Sequence, residues 1–106
     1  MIQTHEIEKQ IYKLYKMSRD KTNVEQAEKA NNLMEEIIRF FQLLDLFMND
    51  QHAEIVKRIY FHRQNMFRIG IRAVSFQIFI PERTLYKYRQ KYCEIIAEIL
   101  EKAHFA

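Results

Sequence analysis

An all-α fold is predicted by three features of this sequence. It holds one Gly and one Pro in 106 residues, so the turn residues that hairpins and sheets require are nearly absent. Apolar residues recur at spacings of three and four along most of the chain, which is the period of a helix face and not the alternation of a strand. Hydrophobic residues make up 48% of the composition, enough to give a chain of this length one small core. About five helices follow. Residues 1–49 are read as an N-terminal helical pair that serves packing or dimerisation and 50–106 as a second helical region, the two forming one compact unit.

The first helix is marked by Ile7, Ile11, Leu14 and Tyr15, runs from about Thr4 to Met17, and ends in the polar stretch SRDKTN. Thr22 followed three residues later by Glu25 reads as a capping box that opens a second helix, about Asn23 to Phe47. On that helix Leu33, Ile37, Phe40, Phe41, Leu44 and Phe47 are expected to line one face. Met34, Ile38, Leu43 and Leu46 widen the apolar surface beyond what one neighbour covers, and Met34, Ile38 and Leu43 are read as a dimer seam. Asp50 is the expected cap of a third helix that buries Ile55, Val56, Ile59 and Tyr60 and stops near His62. The segment RQNMFRIG is the expected loop, with Gly70 as the residue free to take positive φ.

Ile71 to Ile78 reads as a short fourth helix with Val74 and Ile78 inward, and Pro81 suits the first turn of a long fifth helix because its φ is already helical. A helical wheel places Leu85, Tyr88, Tyr92, Ile95, Ile96 and Ile99 on one face and Arg83, Tyr86, Lys87, Gln90 and Glu94 on the other. Charge is distributed unevenly around this region. From Lys57 to Lys91 there are nine Lys or Arg side chains against one acid, Glu82, a net of +8, whereas 1–56 carries −3 and 92–106 carries −2. The overall +3 therefore conceals a cationic module, the footprint expected for a phosphate backbone.

The stretch VSFQIFIPERTLYKYR resembles the helix-turn-helix of the fourth region of bacterial sigma factors and of small phage late-transcription regulators of the ArpU type. There a pattern like IA..L.IS..TLYR.R recurs. Val74 and Ser75 match its apolar–small pair, Ile78 and Ile80 its inward positions, and Thr84, Leu85 and Tyr86 the start of the recognition helix. Phe79 stands at the turn position that often holds Gly or Asn, and Pro81 replaces the usual capping Ser or Thr. The resemblance covers about Asp50 to Leu100. It implies a sequence-specific regulator of transcription whose recognition helix lies in the major groove of double-stranded DNA. Glu82, Arg83, Tyr86 and Lys87 are then placed for base edges, and Arg63, Arg68, Arg72, Gln90 and Lys91 for phosphates. The alternative is a helical interaction module that binds RNA polymerase or another protein without reading DNA.

An enzymatic reading has little in the sequence to carry it. His5, His52, His62 and His104 lack metal-ligand spacing, no glycine-rich phosphate loop or nucleophile motif is present, and no cofactor is implied. Cys93 is expected to be a small packing residue, and a lone cysteine fits a reducing cytoplasm. The most apolar stretch, IIRFFQLLDLFM, is interrupted by Arg39 and Asp45 and too short to cross a bilayer, and the N-terminus lacks the pattern of a signal peptide.

Overall fold

A computed structural model describes residues 3–61 and 70–105. Five helices are present among the described residues: α1 (Thr4–Ser18), α2 (Val24–Met48), α3 (His52–Tyr60), α4 (Ile71–Ile78) and α5 (Glu82–Lys102), with no strand. The expected loop from Arg63 to Gly70, except Gly70 itself, and the expected end of the third helix near His62 lie outside the described residues. None of the helices is long and apolar enough to cross a membrane.

Local hydrogen bonds explain the helix boundaries and correct two expected caps. Asp20 accepts from both the backbone N–H (2.9 Å) and the hydroxyl (2.6 Å) of Thr22, and these bonds hold the Asp20 carboxyl below its usual pKa range. Because Thr22 is engaged there, the cap of α2 falls one residue later, where the Asn23 side chain accepts from the Gln26 N–H at 3.1 Å. The cap of α3 is not Asp50 either. Asp45, on the last turns of α2, accepts from the N–H groups of His52 and Ala53 at 2.6 and 2.8 Å. Asp50 instead accepts from Gln51 N–H and stands 3.1 Å from His52 Nε2. One carboxylate of α2 thus fixes where α3 begins, and the intervening Asn49 takes a left-handed conformation (φ 51) that makes the reversal tight.

A single cluster of buried side chains takes members from every helix: Ile11 and Leu14 of α1, Ile37 and Phe41 of α2, Ile55 and Val56 of α3, Val74 of α4, and Leu85, Ile96 and Leu100 of α5. The Phe41 ring meets Tyr92 edge-on at 5.2 Å, and the Tyr92 hydroxyl is hydrogen-bonded to His52 Nδ1 at 2.6 Å. Phe40 and Phe47, expected on the buried face of α2, are exposed. The buried arc follows Ala30, Ile37 and Phe41, and at 3.6 residues per turn Phe47 is rotated roughly 80–120° away from the last two.

One polar group is built into this core. Glu8, on the inward side of α1, is buried and accepts from Nε (2.5 Å) and Nη2 of Arg89 on α5 and from the Tyr60 hydroxyl of α3 (2.8 Å). Tyr60 also lies 3.4 Å from Cys93 Sγ. Burial, with Cys93 and Glu8 adding to it, pushes the Tyr60 hydroxyl well above the usual phenol range, so it remains a donor. Burial likewise pushes the Cys93 thiol up to about 11, which makes it the inert packing residue expected from sequence. The hydrogen bond to Glu8 outweighs the opposing effect of burial and holds the Arg89 guanidinium charged more firmly than in a free arginine.

Two predictions follow from these contacts. Asp45→Ala removes the acceptor for two helix-start N–H groups and should destabilise the chain by about 1–2 kcal/mol, with the loss concentrated in α3. Urea denaturation together with amide exchange of His52 and Ala53 measures it, and unchanged exchange there would refute the cap. Arg89→Met leaves Glu8 buried without its cation and should cost about 3–5 kcal/mol, whereas Arg89→Met combined with Glu8→Leu should recover most of the loss. A double-mutant cycle with additive effects would show that the pair is not coupled.

Candidate nucleic-acid interface

The segment that resembles a DNA-reading unit is held to the core by its apolar side. Gly70, at φ 86, precedes α4, whose Ile71 and Val74 are buried and whose Ile78 packs against the core. Three residues then connect α4 to α5. Phe79 is left-handed (φ 58, ψ 38), so Gly70 is not alone in taking positive φ. The Ser75 hydroxyl donates to the Ile80 carbonyl at 2.5 Å across the connection, and the half-buried Ile80 packs inward. Pro81 stands at the N-cap, one position earlier than the first helical turn, with φ −56 and no side-chain cap, and its carbonyl accepts from Leu85 N–H at 3.1 Å. The turn therefore closes on a small hydroxyl, an inward isoleucine and a phenylalanine in the left-handed region.

The two faces of α5 divide as the periodicity predicts. Leu85, Tyr92, Cys93, Ile96 and Leu100 are buried, and Tyr88 packs beside them with its ring edge-on to His52 at 5.0 Å. Arg83, Lys87, Gln90, Lys91 and Glu94 are exposed. Arg83, Lys87 and Lys91 form no ion pair among the described residues. Of the residues read as base contacts, Arg83 and Lys87 share the outward stripe. Tyr86 lies to one side of it, half-exposed, with its ring 6.0 Å from the Arg89 guanidinium. Glu82 opens the helix and is 3.7 Å from Nε of Arg72, whose side chain is 91% exposed. Of the residues read as phosphate contacts, Arg72, Gln90 and Lys91 are exposed, and Arg63 and Arg68 lie outside the described residues.

Tertiary structure reassigns part of the cationic module. Arg89 faces Glu8 inside the fold, and Arg58 is spent between Glu54 at 3.0 Å and Gln77 at 3.1 Å, where it links α3 to α4. What remains outward on α4 and α5 is Arg72, Arg83, Lys87 and Lys91. The buried pair was missed in the sequence although it left a trace. Arg89 sits on the wheel only about 40° from Leu85, inside the apolar arc, and Glu8 directly follows Ile7 in the stripe of α1.

The dimer seam read from sequence does not form one surface. Met34 packs against the core, Ile38 is half-buried and Leu43 is exposed, with about 140° between Ile38 and Leu43 around the helix. The apolar side chains that α2 leaves in solvent are Val24 at its start and Phe40, Leu43, Leu46, Phe47 and Met48 toward its end. Phe40 continues into a groove of about 470 Å³ lined also by Ile95, Ile99 and Ala103. A larger groove, about 690 Å³, lies between α1, α2 and the C-terminal residues, with Leu14, Met17, Ala30 and Leu33 among its lining. No group of three His, Cys, Asp or Glu that could hold a metal ion occurs among the described residues. Comparison of this chain with protein-family models, with curated proteins and with solved structures finds no match.

Proposed function

We propose that this chain is a sequence-specific DNA-binding regulator of transcription that inserts the N-terminal half of α5 into the major groove. The observation that carries the reading is the outward stripe of Arg83 and Lys87, with Lys91 beside it, unpaired by any described acid on a helix whose opposite face is fixed in the core. Long cationic donors held in that way suit guanine edges and phosphates. Arg72, on the preceding helix, and the uncapped first N–H groups of α5 suit backbone phosphates. Among the described residues Arg89 is drawn to the buried Glu8 and Arg58 is held at the surface by Glu54 and Gln77, which leaves Arg72, Arg83, Lys87 and Lys91 as the module's outward cations on α4 and α5.

The exposed apolar face of α2 favours a second component of the proposal, association of two copies. Leu46 is 81% and Phe47 90% exposed, and Phe40, Leu43 and Met48 add to the same end of the helix. Phe40, Leu43, Leu46 and Phe47 fall within about 120° of one another around the helix and together offer roughly 500 Å² of surface, within the range a monomer leaves uncovered and more than half of the about 800 Å² per partner found in stable interfaces. An isologous antiparallel pairing about Leu43 brings Phe47 of one copy near Phe40 of the other. Two modules then bind a repeated half-site at high effective concentration.

Binding of duplex DNA should weaken with salt on a log–log slope of about −0.9 per phosphate contacted. Arg83→Ala or Lys87→Ala should each cost about 1–3 kcal/mol at the preferred site and relax base preference there, whereas Arg72→Ala should weaken all duplexes alike. Selection from a random duplex pool followed by salt titration checks this. A flat salt response, or an Arg83→Ala consensus identical to that of the wild type, refutes the reading, and retention of RNA polymerase or another protein without duplex binding supports the interaction-module alternative. Sedimentation at micromolar concentration should show a dimer that dissociates in Leu43→Asp and Phe47→Asp but persists in Met34→Leu. A monomer with and without DNA would end the two-copy proposal.

A further inference from the structure

We infer that Phe76 and Phe79, with Pro81, form an apolar shelf that contacts the C5-methyl groups of thymine beside the recognition helix. This rests on the DNA-binding reading and names the base chemistry that the charged residues of α5 leave unread. Phe76 is 85% and Phe79 91% exposed, and the two line one shallow depression with Ser75, Ile80 and Pro81. Neither ring belongs to the core or packs against it. Phe79 is also held in the left-handed region, where a side chain bearing Cβ costs about 1–2 kcal/mol relative to its ordinary conformations and glycine is at ease. The fold thus carries a large aromatic at a position where it gains no burial and accepts backbone strain. Strain of this kind concentrates where a binding surface needs the side chain.

Size and charge identify the occupant. Two phenylalanines and a proline edge offer roughly 300–400 Å², about half of what one partner contributes to a stable protein interface, so the shelf is too small to hold a protein by itself. It is large enough to cover one or two methyl groups within the 600–1,000 Å² or so that a single DNA-binding module buries. Arg72 stands one helical turn before Phe76 on α4 and Arg83 four residues after Phe79, and the nearby acid, Glu82, is 3.7 Å from Arg72. That surround favours a polyanion. In the major groove of unmodified DNA the apolar feature on the base edges is the thymine methyl, and aromatic side chains pack against it. The shelf immediately precedes the helical turns that carry Arg83 and Lys87, so one approach brings both to neighbouring bases.

The test uses the full chain and the duplex recovered by selection, compared with the same duplex in which each thymine is replaced in turn by uracil. This removes one methyl group and leaves the hydrogen-bonding edges unchanged. Wild-type affinity should fall about three- to five-fold for each contacted methyl, the value of one buried carbon. Phe76→Ala and Phe79→Gly should bind the thymine duplex with that affinity already lost and should not distinguish it from the uracil duplexes. Phe79→Gly should retain or raise the melting temperature, which separates the contact from folding. Equal wild-type binding to thymine and uracil duplexes, with salt-dependent binding intact, overturns the shelf and leaves the DNA reading standing. So does thymine discrimination that survives in both variants. Absence of duplex binding altogether overturns the DNA reading and the shelf with it.

Discussion

The buried carboxylate of Glu8 is the constraint around which the helices are arranged. A carboxylate withdrawn from water costs several kcal/mol unless its lone pairs are met, and here three donors from two other helices meet it: two from Arg89 on α5 and one from Tyr60 on α3. Each donor has a fixed direction, so the network specifies relative position in a way that contact between apolar surfaces does not. Phe41, Ile96 and Leu100, all buried, supply driving force, and the Glu8 network adds directional contacts to their packing.

That arrangement determines which face of α5 is outward. Arg89 is drawn inward toward Glu8, and the Tyr92 hydroxyl is bound to His52 on α3 a little further along the helix. Together these two contacts fix the rotation of α5, and Arg83, Lys87 and Gln90 emerge on the opposite side. The N-terminal helices thus hold the candidate reading surface in place without contributing to it. Asp45 does the same for α3, since it caps that helix from α2 and ties the helical pair to the C-terminal region.

Two apolar surfaces are left outside this economy, and they differ in scale. At the far end of α2 Phe41 and Leu44 pack on the core, and Leu43, Leu46 and Phe47 meet solvent on the other side of the helix. Phe76 and Phe79 make a small one at the connection of α4 and α5. Area separates the two proposals made for them, a second copy for the first and a few groups on a base edge for the second.

The sequence by itself determined the helical class, the five helices to within a few residues, and the inward faces of α4 and α5. These depend on periodicity, on scarce turn residues and on local propensity, all of which are written within a few residues of where they act. Tertiary structure alone decided which charges are internal. Glu8 and Arg89 are 81 residues apart in the chain, and Asp45 caps a helix seven and eight residues further on, so a wheel can mark an inward charge but not name its partner, and a local capping pattern does not reach so far. It also decided which residues of the over-wide apolar surface of α2 stay uncovered, since that depends on how far the neighbouring helices extend. The wheel placed Arg83, Lys87 and Gln90 outward in advance, but the withdrawal of Arg89 toward Glu8 was settled only when the helices met.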